Sequence, residues 1–340
     1  KAGRHYWFAK ELKKRGYEPI VFCANTFLKD DRIIDIDNGL SKVSIDEVTG
    51  VPYVFVKTKV SIGNGIDRVL NMLLFGLNLR KVALKMAKNQ KPNIIIASSV
   101  HPFTMVAGIL IGKKIKVPCI CEIRDLWPEA IFAFGKAKET SVLGKILIAG
   151  EHWIYKNADA LIFTKEGDTD YLKERRWTKE QGGDIDLDKC YYINNGVDIA
   201  DNEARKRTMV VKDVDLDDEN KFNVTYIGTI RAVNNVGNLL DAAKIISSKE
   251  IYRTVQFLIY GEGNQLEELK NRVMKENIQN VKFKGYINRQ YVPYILSKSS
   301  INILNYSQNQ YNWSRGNSSN KLFEYMASGK PIISTVKMGN

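Results

Sequence analysis

Histidine and cysteine are scarce in this 340-residue chain, and no apolar stretch approaches the ~20 residues needed to cross a bilayer. The three histidines lie far apart, and Cys23, Cys119, Cys121 and Cys190 form no CxxC pair. That excludes the ligand spacings of a structural zinc site and predicts reduced cytosolic thiols rather than a disulfide framework. No Gly-x-Gly-x-x-Gly follows a β-type run, which argues against a dinucleotide-dependent oxidoreductase. No pair of acids stands at metal-binding spacing, so neither a metal nor a cofactor is expected. Low-complexity tracts are missing as well. What remains, 44% apolar over 340 residues, is long enough for two domains with cores of their own.

Charge is abundant but one-sided, with a formal net charge of +13. Between positions 51 and 120 lie eleven basic residues and a single acid, Asp67. The centre of that region, from Arg68 through Arg80, Lys81, Lys85 and Lys88 to Lys91, interleaves the cations with Val69, Leu70, Met72, Leu73, Leu74, Phe75, Leu77 and Leu79. A helix of this kind fits an anionic membrane surface. The plainer alternative is a core helix whose basic end is solvated. Nucleic acid is disfavoured: single-strand binders set aromatic residues among their cations, and no DNA- or RNA-binding signature is present.

β-type and helical stretches alternate along the chain. Strands are expected at 19–22, 53–56, 93–97, 119–123, 160–164 and 190–193, with helices at 5–15, 68–88 and 143–156 among them. A charged segment, 199–221, has no apolar period and reads as a linker. Strands then recur at 222–227, 254–260, 281–283, 300–304 and 331–335. Such alternation predicts parallel sheets covered on both faces, one in residues 1–198 and one in 222–340, with a cleft between them.

One run carries more functional information than the rest: Gly316-Asn317-Ser318-Ser319-Asn320-Lys321-Leu322-Phe323-Glu324-Tyr325-Met326-Ala327-Ser328-Gly329-Lys330-Pro331. Small polar residues start a helix, Gly329 and Pro331 end it, and a β-branched strand follows. The free N–H groups and partial positive charge of a helix N-terminus, with Lys321 beside them, suit an anion such as a diphosphate. Glu324, one turn further on, can accept hydrogen bonds from hydroxyls next to that anion. Diphosphate beside diol describes a nucleotide sugar, although an ordinary capped amphipathic helix would satisfy the same spacing.

This run resembles the donor-site signature of family-4 retaining glycosyltransferases of the GT-B fold, especially bacterial enzymes that build capsule and O-antigen polysaccharide. The resemblance implies two Rossmann-like doubly wound domains facing across a cleft. It implies that Glu324 holds the nucleotide ribose, that Lys321 lies near the phosphates, and that Ser318, Ser319 and Asn320 line the donor. Where many members carry a further glutamate for the donor sugar, this chain has Gly316, so that contact does not carry over. The fold also calls for a strand before the first helix and for closing helices after 335, so both chain ends are expected to be cut.

Ligands in open α/β sheets bind beyond the carboxyl ends of the strands, so the loops that follow each strand are the ones to read. After 222–227 come Gly228, Thr229 and Arg231, where glycine admits a phosphate to the backbone and arginine can grip it. This is similar to the family's donor-diphosphate element, except that a lysine common a few residues later is replaced by the neighbourhood of Asn234 and Asn235. Gly261-Glu262-Gly263 reads as a tight turn whose family counterpart borders the donor. Tyr286 and Ile287 match the stretch whose backbone recognises the base, commonly uracil. In the first domain His101 matches an active-site histidine facing the donor sugar, and Gly3 and Arg4 match the tail of a glycine-rich phosphate loop. Arg124-Asp125-Leu126-Trp127-Pro128-Glu129 is characteristic of the polysaccharide-building branch. It offers Arg124, Asp125 and Glu129 to the acceptor, or else an ion pair packed beside a buried tryptophan.

The expected function is metal-free transfer of a sugar from a uridine-diphosphate donor to a lipid-linked saccharide acceptor. Its place would be the cytoplasm, at the inner face of the plasma membrane. The alternatives are a nucleotide-sugar epimerase of the same architecture, which needs no acceptor, and a non-catalytic basic membrane-binding protein, which would leave the Lys321 helix unexplained.

Overall fold

The computed structural model describes residues 3–27, 33–61, 65–99, 101–133, 135, 137–307 and 315–335. The chain divides into two compact units, Lys1–Asn194 and Asn195–Asn340. The first runs α1 (Arg4–Lys14), β1 (Val21–Ala24), β2 (Ser41–Ile45), β3 (Pro52–Val56), α2 (Ile66–Ala87), β4 (Ile95–Ser98), α3 (Pro102–Ile115), β5 (Cys119–Ile123), α4 (Trp127–Ala133), α5 (Val142–Asn157), β6 (Ala160–Phe163), α6 (Asp168–Glu174) and β7 (Cys190–Tyr192). The second runs α7 (Ile199–Thr208), β8 (Phe222–Ile227), α8 (Gly237–Ser247), β9 (Val255–Tyr260), α9 (Leu266–Lys275), β10 (Val281–Gly285), α10 (Val292–Lys298), β11 (Ile301–Leu304), α11 (Asn320–Ala327) and β12 (Ile332–Ser334).

In the first unit β4-β5-β6-β7 form a parallel sheet, and a second sheet has the order β1-β3-β2. β1 pairs parallel with β3, whereas β2 runs antiparallel to it. β2 departs from the all-parallel expectation. Its sequence, Ser-Lys-Val-Ser-Ile, exposes four of five residues, so it is an edge strand without the apolar run that betrays a buried one. The core gathers Ile109, Cys121, Ile123, Leu126, Leu161 and Phe163. Each such fully buried branched side chain contributes about 1.5–3 kcal/mol by leaving water.

The second unit is a five-stranded parallel sheet, β10-β9-β8-β11-β12. Side chains alternate across a strand, and both faces here are covered. Tyr226, Phe257 and Ile259 pack with Leu240 of α8 and Leu269 of α9. Ile227, Leu258 and Tyr260, one residue out of phase, pack with Ile295 of α10 and Tyr325 of α11. The segment 199–221, expected as a linker, lies within this unit: its first part is α7, whose Asp198 cap accepts from the Asp201 N–H at 3.0 Å, and Leu216 is buried in the α10 face. α7 carries no apolar period in its sequence; the Asp198 cap starts it, an Asp201–Arg205 pair one turn apart supports it, and it packs against α10.

Among the described residues no helix is long and apolar enough to cross a membrane.

Candidate active site

The second unit brings most of the expected donor residues together. β8 ends at Ile227, whose N–H donates to the Tyr325 hydroxyl at 3.1 Å while that hydroxyl donates to the Ile227 carbonyl at 3.2 Å. One fully buried tyrosine thus pins α11 to the carboxyl end of β8. The turn that follows is stitched to its neighbours through backbone: Gly228 N–H to Tyr260 O, Ile230 N–H to Glu262 O, and Gly261 N–H to Gly285 O. Gly261 has φ +136°, and a Cβ there would lie 1.9 Å from the Gly228 carbonyl oxygen. Only glycine fits such a backbone crossing, so the Gly-x-Gly pair shapes the turn that carries Gly228 and Thr229.

Lys321 lies over that turn. Its ammonium donates to the Tyr226 hydroxyl at 3.3 Å and sits 4.7 Å from the Tyr226 ring centroid and 4.8 Å from that of Tyr306. The Tyr226 hydroxyl passes its own proton to the Thr229 carbonyl at 2.9 Å. With the Asn234 amide turned to satisfy its neighbours, its oxygen accepts from Lys321 at 3.3 Å and its nitrogen donates to Thr229 O at 2.8 Å. A Cβ on Gly228 would come within 2.8 Å of the Lys321 nitrogen. Burial, and then the charge of Arg231, hold the Lys321 ammonium down from 10.5 to about 8. Arg231 itself is exposed and has no ion-pair partner among the described residues.

α11 begins at Asn320 with Ser319 in the capping position, yet no side chain caps it. The Ser319 hydroxyl accepts from Tyr306 at 2.6 Å and its N–H is taken by Asn317. The Asn320 and Lys321 N–H groups have no hydrogen-bond partner among the described residues, as the first turn of a helix requires unless a cap or ligand supplies one. Ser318 contributes its carbonyl to the Asn195 amide. Glu324, one turn along, is held by Arg289 through Nε at 2.9 Å and Nη2 at 2.7 Å. Tyr286 is exposed, and Ile287 packs against the α10 face of the core. Sequence reasoning missed Tyr226, Tyr306 and Arg289. An aromatic at the end of an apolar strand and an arginine in a turn give no local sign that a distant side chain will need them.

In the first unit the expected residues divide. Arg4, assigned to donor phosphate, is instead buried in the protein. Its Nε bonds Glu122 Oε1 at 2.7 Å, and its two Nη atoms bond the carbonyls of Asn194 and Ile193, each at 2.6 Å. Gly3 precedes it with φ 153°, at the amino end of α1. Glu122 also accepts from Ser98 at 2.6 Å and meets His5 Nε2 at 3.0 Å. Burial pushes its pKa up, but the His5, Ser98 and Arg4 contacts outweigh that and hold it at about 2. A glutamate inside the strand Cys-Ile-Cys-Glu-Ile must find a cation, and Arg4 is that cation.

His101 stands at the N-cap position of α3, without a side-chain capping bond, and is nearly enclosed, edge-on to Phe75 of α2 at 5.9 Å. Burial, then the nearby Arg68, lower its pKa to about 4, so the imidazole is neutral at physiological pH. Arg124 takes the Ser99 hydroxyl through its N–H at 2.9 Å and gives its carbonyl to Thr164 at 3.1 Å, joining the loops after β4, β5 and β6. Asp125 is exposed. Glu129 pairs with Arg175 at 2.7 Å, but the buried residues of that segment are Leu126 and Pro128, and the tryptophan is only partly covered.

α2 buries Met72, Phe75, Leu79 and Val82 and turns a second apolar face outward. Ile66 is 80% exposed and Leu77 59%, with Val69, Leu70 and Leu74 beside them; Arg80, Lys81, Lys85 and Lys88 continue the same surface.

Two family models match the chain: one described as Glycosyltransferase Family 4 over residues 6–201, the other as Glycosyl transferases group 1 over residues 221–340. No curated protein matches its sequence significantly. Among solved structures it is similar to HepE of Anabaena in complex with UDP, at 13% identity and TM-score 0.58, covering 86% of this chain and 69% of that one. It is similar to sucrose-phosphate synthase of Thermosynechococcus elongatus at 16% identity and TM-score 0.64, covering 99% and 77%. A third is WaaG, a glycosyltransferase involved in lipopolysaccharide biosynthesis, at 11% identity and TM-score 0.59, covering 98% and 77%. These likenesses are of fold, and with a parallel sheet in each unit they show the GT-B architecture of two Rossmann-like domains.

Proposed function

We propose, from the premise that this chain belongs to glycosyltransferase family 4, that it is a retaining transferase moving a sugar from UDP to a lipid-linked saccharide in bacterial surface polysaccharide synthesis. Glycosyltransferase activity itself comes with the family. The observation that carries the donor half is the meeting of Lys321, the Gly228-Thr229 turn and the uncapped amino end of α11 beyond the carboxyl end of β8. A positive side chain, a glycine that admits close approach and unfilled N–H donors form an anion site for a diphosphate. HepE, with its bound UDP, supports the choice of uridine, and WaaG's part in lipopolysaccharide synthesis supports the pathway.

In the proposed step the bond from the sugar's anomeric carbon to the β-phosphate oxygen breaks. The acceptor oxygen bonds that carbon on the same face, and the hydroxyl proton passes to the departing phosphate. Negative charge grows on the leaving oxygen, and Lys321, Arg231 and the first-turn N–H groups of α11 neutralise it. Glu324 accepts from the ribose hydroxyls, and Tyr286 and Ile287 border the base. His101, neutral, offers hydrogen bonds to the donor sugar. Asp125 and Arg124 are the better acceptor candidates, since Glu129 is already paired with Arg175. The outward face of α2 is proposed to lie on an anionic membrane, which would place the enzyme at the inner face of the plasma membrane.

The test is UDP release from a panel of UDP-sugars with lipid-linked acceptors, with and without EDTA. Turnover is expected to survive EDTA and to fall by about 10²-fold in Lys321→Ala or Glu324→Ala. Undiminished turnover in both variants refutes the site, and isomerised donor without acceptor would indicate an epimerase.

A further inference from the structure

The pairing of Arg289 with Glu324 is more specific than a surface ion pair needs to be. Arg289 opens a single 3-10 turn, Arg289–Tyr291, started by the Asn288 side chain accepting from the Gln290 N–H at 3.2 Å. α10 follows at once, with Val292, Pro293, Ile295 and Leu296 buried, so the arginine's backbone is fixed on a packed element. Its Nε and Nη2 converge on one oxygen of Glu324, Oε1, at 2.9 and 2.7 Å. The second oxygen, Oε2, has no hydrogen-bond partner among the described residues. The Glu324 side chain is 16% exposed and that of Arg289 44%, an exposure at which such a pair adds little to stability.

We propose that Arg289 is a positioning residue for nucleotide recognition: by clamping Oε1 it holds the Glu324 carboxylate in one orientation, with Oε2 presented to a ribose diol. The inference rests on the reading of Glu324 as the ribose contact. An ionised carboxylate accepts and never donates, so it pairs with two hydroxyls. A glutamate left free would lose its rotamer freedom only when the ribose arrived, weakening binding by that amount. The clamp makes the loss in advance.

Titration calorimetry with UDP and 2′-deoxy-UDP separates this role from a structural one. For Arg289→Gln, UDP affinity is expected to fall about three- to tenfold, the range of one ordinary hydrogen bond, with 2′-deoxy-UDP nearly unchanged. The preference for the ribonucleotide shrinks accordingly, and Arg289→Lys restores part of it. In a Glu324→Gln background the Arg289→Gln change is expected to do nothing more, because its effect passes through the carboxylate. If Glu324→Gln erases the preference but Arg289→Gln leaves it intact, Arg289 does not position the carboxylate. Tighter UDP binding in Arg289→Gln would make the arginine a mask, and equal losses for both nucleotides with a lowered melting temperature would make it structural. Either result overturns the proposal. If Glu324→Gln itself leaves the preference untouched, or UDP does not bind the parent chain, the ribose reading fails and this inference falls with it.

Discussion

Nucleotide affinity should decline with alkaline pH through Lys321. Burial and Arg231 bring its ammonium from 10.5 to about 8 in the free protein, so near pH 8 half the molecules carry a neutral amine. A diphosphate binds the charged form, and each pH unit above 8 removes about tenfold of it, about 1.4 kcal/mol. The fall is bounded by what the charge contributes, about 1.5–3 kcal/mol for a hydrogen bond to a charged group. Between pH 7.5 and 9.5, above the phosphate's own second ionisation near 6, UDP affinity should therefore drop on the order of ten- to thirtyfold. Calorimetry in buffers of different ionisation enthalpy should show about half a proton taken up per UDP at pH 8, rising toward one at pH 9. Folding runs the opposite way. A lysine whose folded pKa lies below its unfolded one binds fewer protons when folded, so stability rises with pH from 8 toward 10.5. Lys321→Met should flatten both trends. Flat affinity and no proton uptake in the parent chain would refute the assignment of Lys321 to the phosphates.

Gly261→Ala should destabilise the second unit by about 3 kcal/mol or more, since both its φ of +136° and a Cβ 1.9 Å from the Gly228 carbonyl oppose the change; denaturant midpoints measure it, and a shift under 1 kcal/mol would contradict the backbone crossing. Glu151 is buried beneath the hydroxyls of Tyr155 and Tyr171, and burial raises its pKa from 4.5 to about 7. The folded chain then holds a proton the unfolded chain releases, so this group's stabilisation is present below pH 4.5 and lost as pH rises toward 7 and beyond. Melting curves of Glu151→Gln should decline less between pH 5 and 8 than those of the parent chain; parallel curves would contradict the assignment. On the outward face of α2, Leu77→Glu should leave the melting temperature within a degree or so and abolish sedimentation with phosphatidylserine vesicles. Undiminished sedimentation would remove α2 from the proposed membrane face.

What the sequence disclosed follows from how locally each feature is determined. β5, Cys119–Ile123, and β8, Phe222–Ile227, are short stretches rich in apolar and β-branched residues bounded by charged residues, proline or glycine, and their positions could be read directly. α11 was equally readable, because small polar residues open it and Gly329, at φ +69°, closes it. β2 and α7 carry no such pattern; the first is an exposed edge and the second a polar helix packed against α10. The site residues show the same division more sharply. Glycines and a helix start are local, so the turn at Gly228 and the approach of Lys321 to a helix end could be expected. What settles the chemistry of each side chain is its partner, and the partners are far along the chain: Arg4 with Glu122 across 118 positions, Ile227 with Tyr325 across 98, Lys321 with Tyr226 across 95. A charged residue in an apolar strand, as Glu122 is, announces that it needs a cation without saying which one, and the family pattern supplied a rival use for the cation it took. Where a resemblance assigns a charged residue to a ligand, the competing demand of a buried opposite charge within the same unit therefore has to be weighed first.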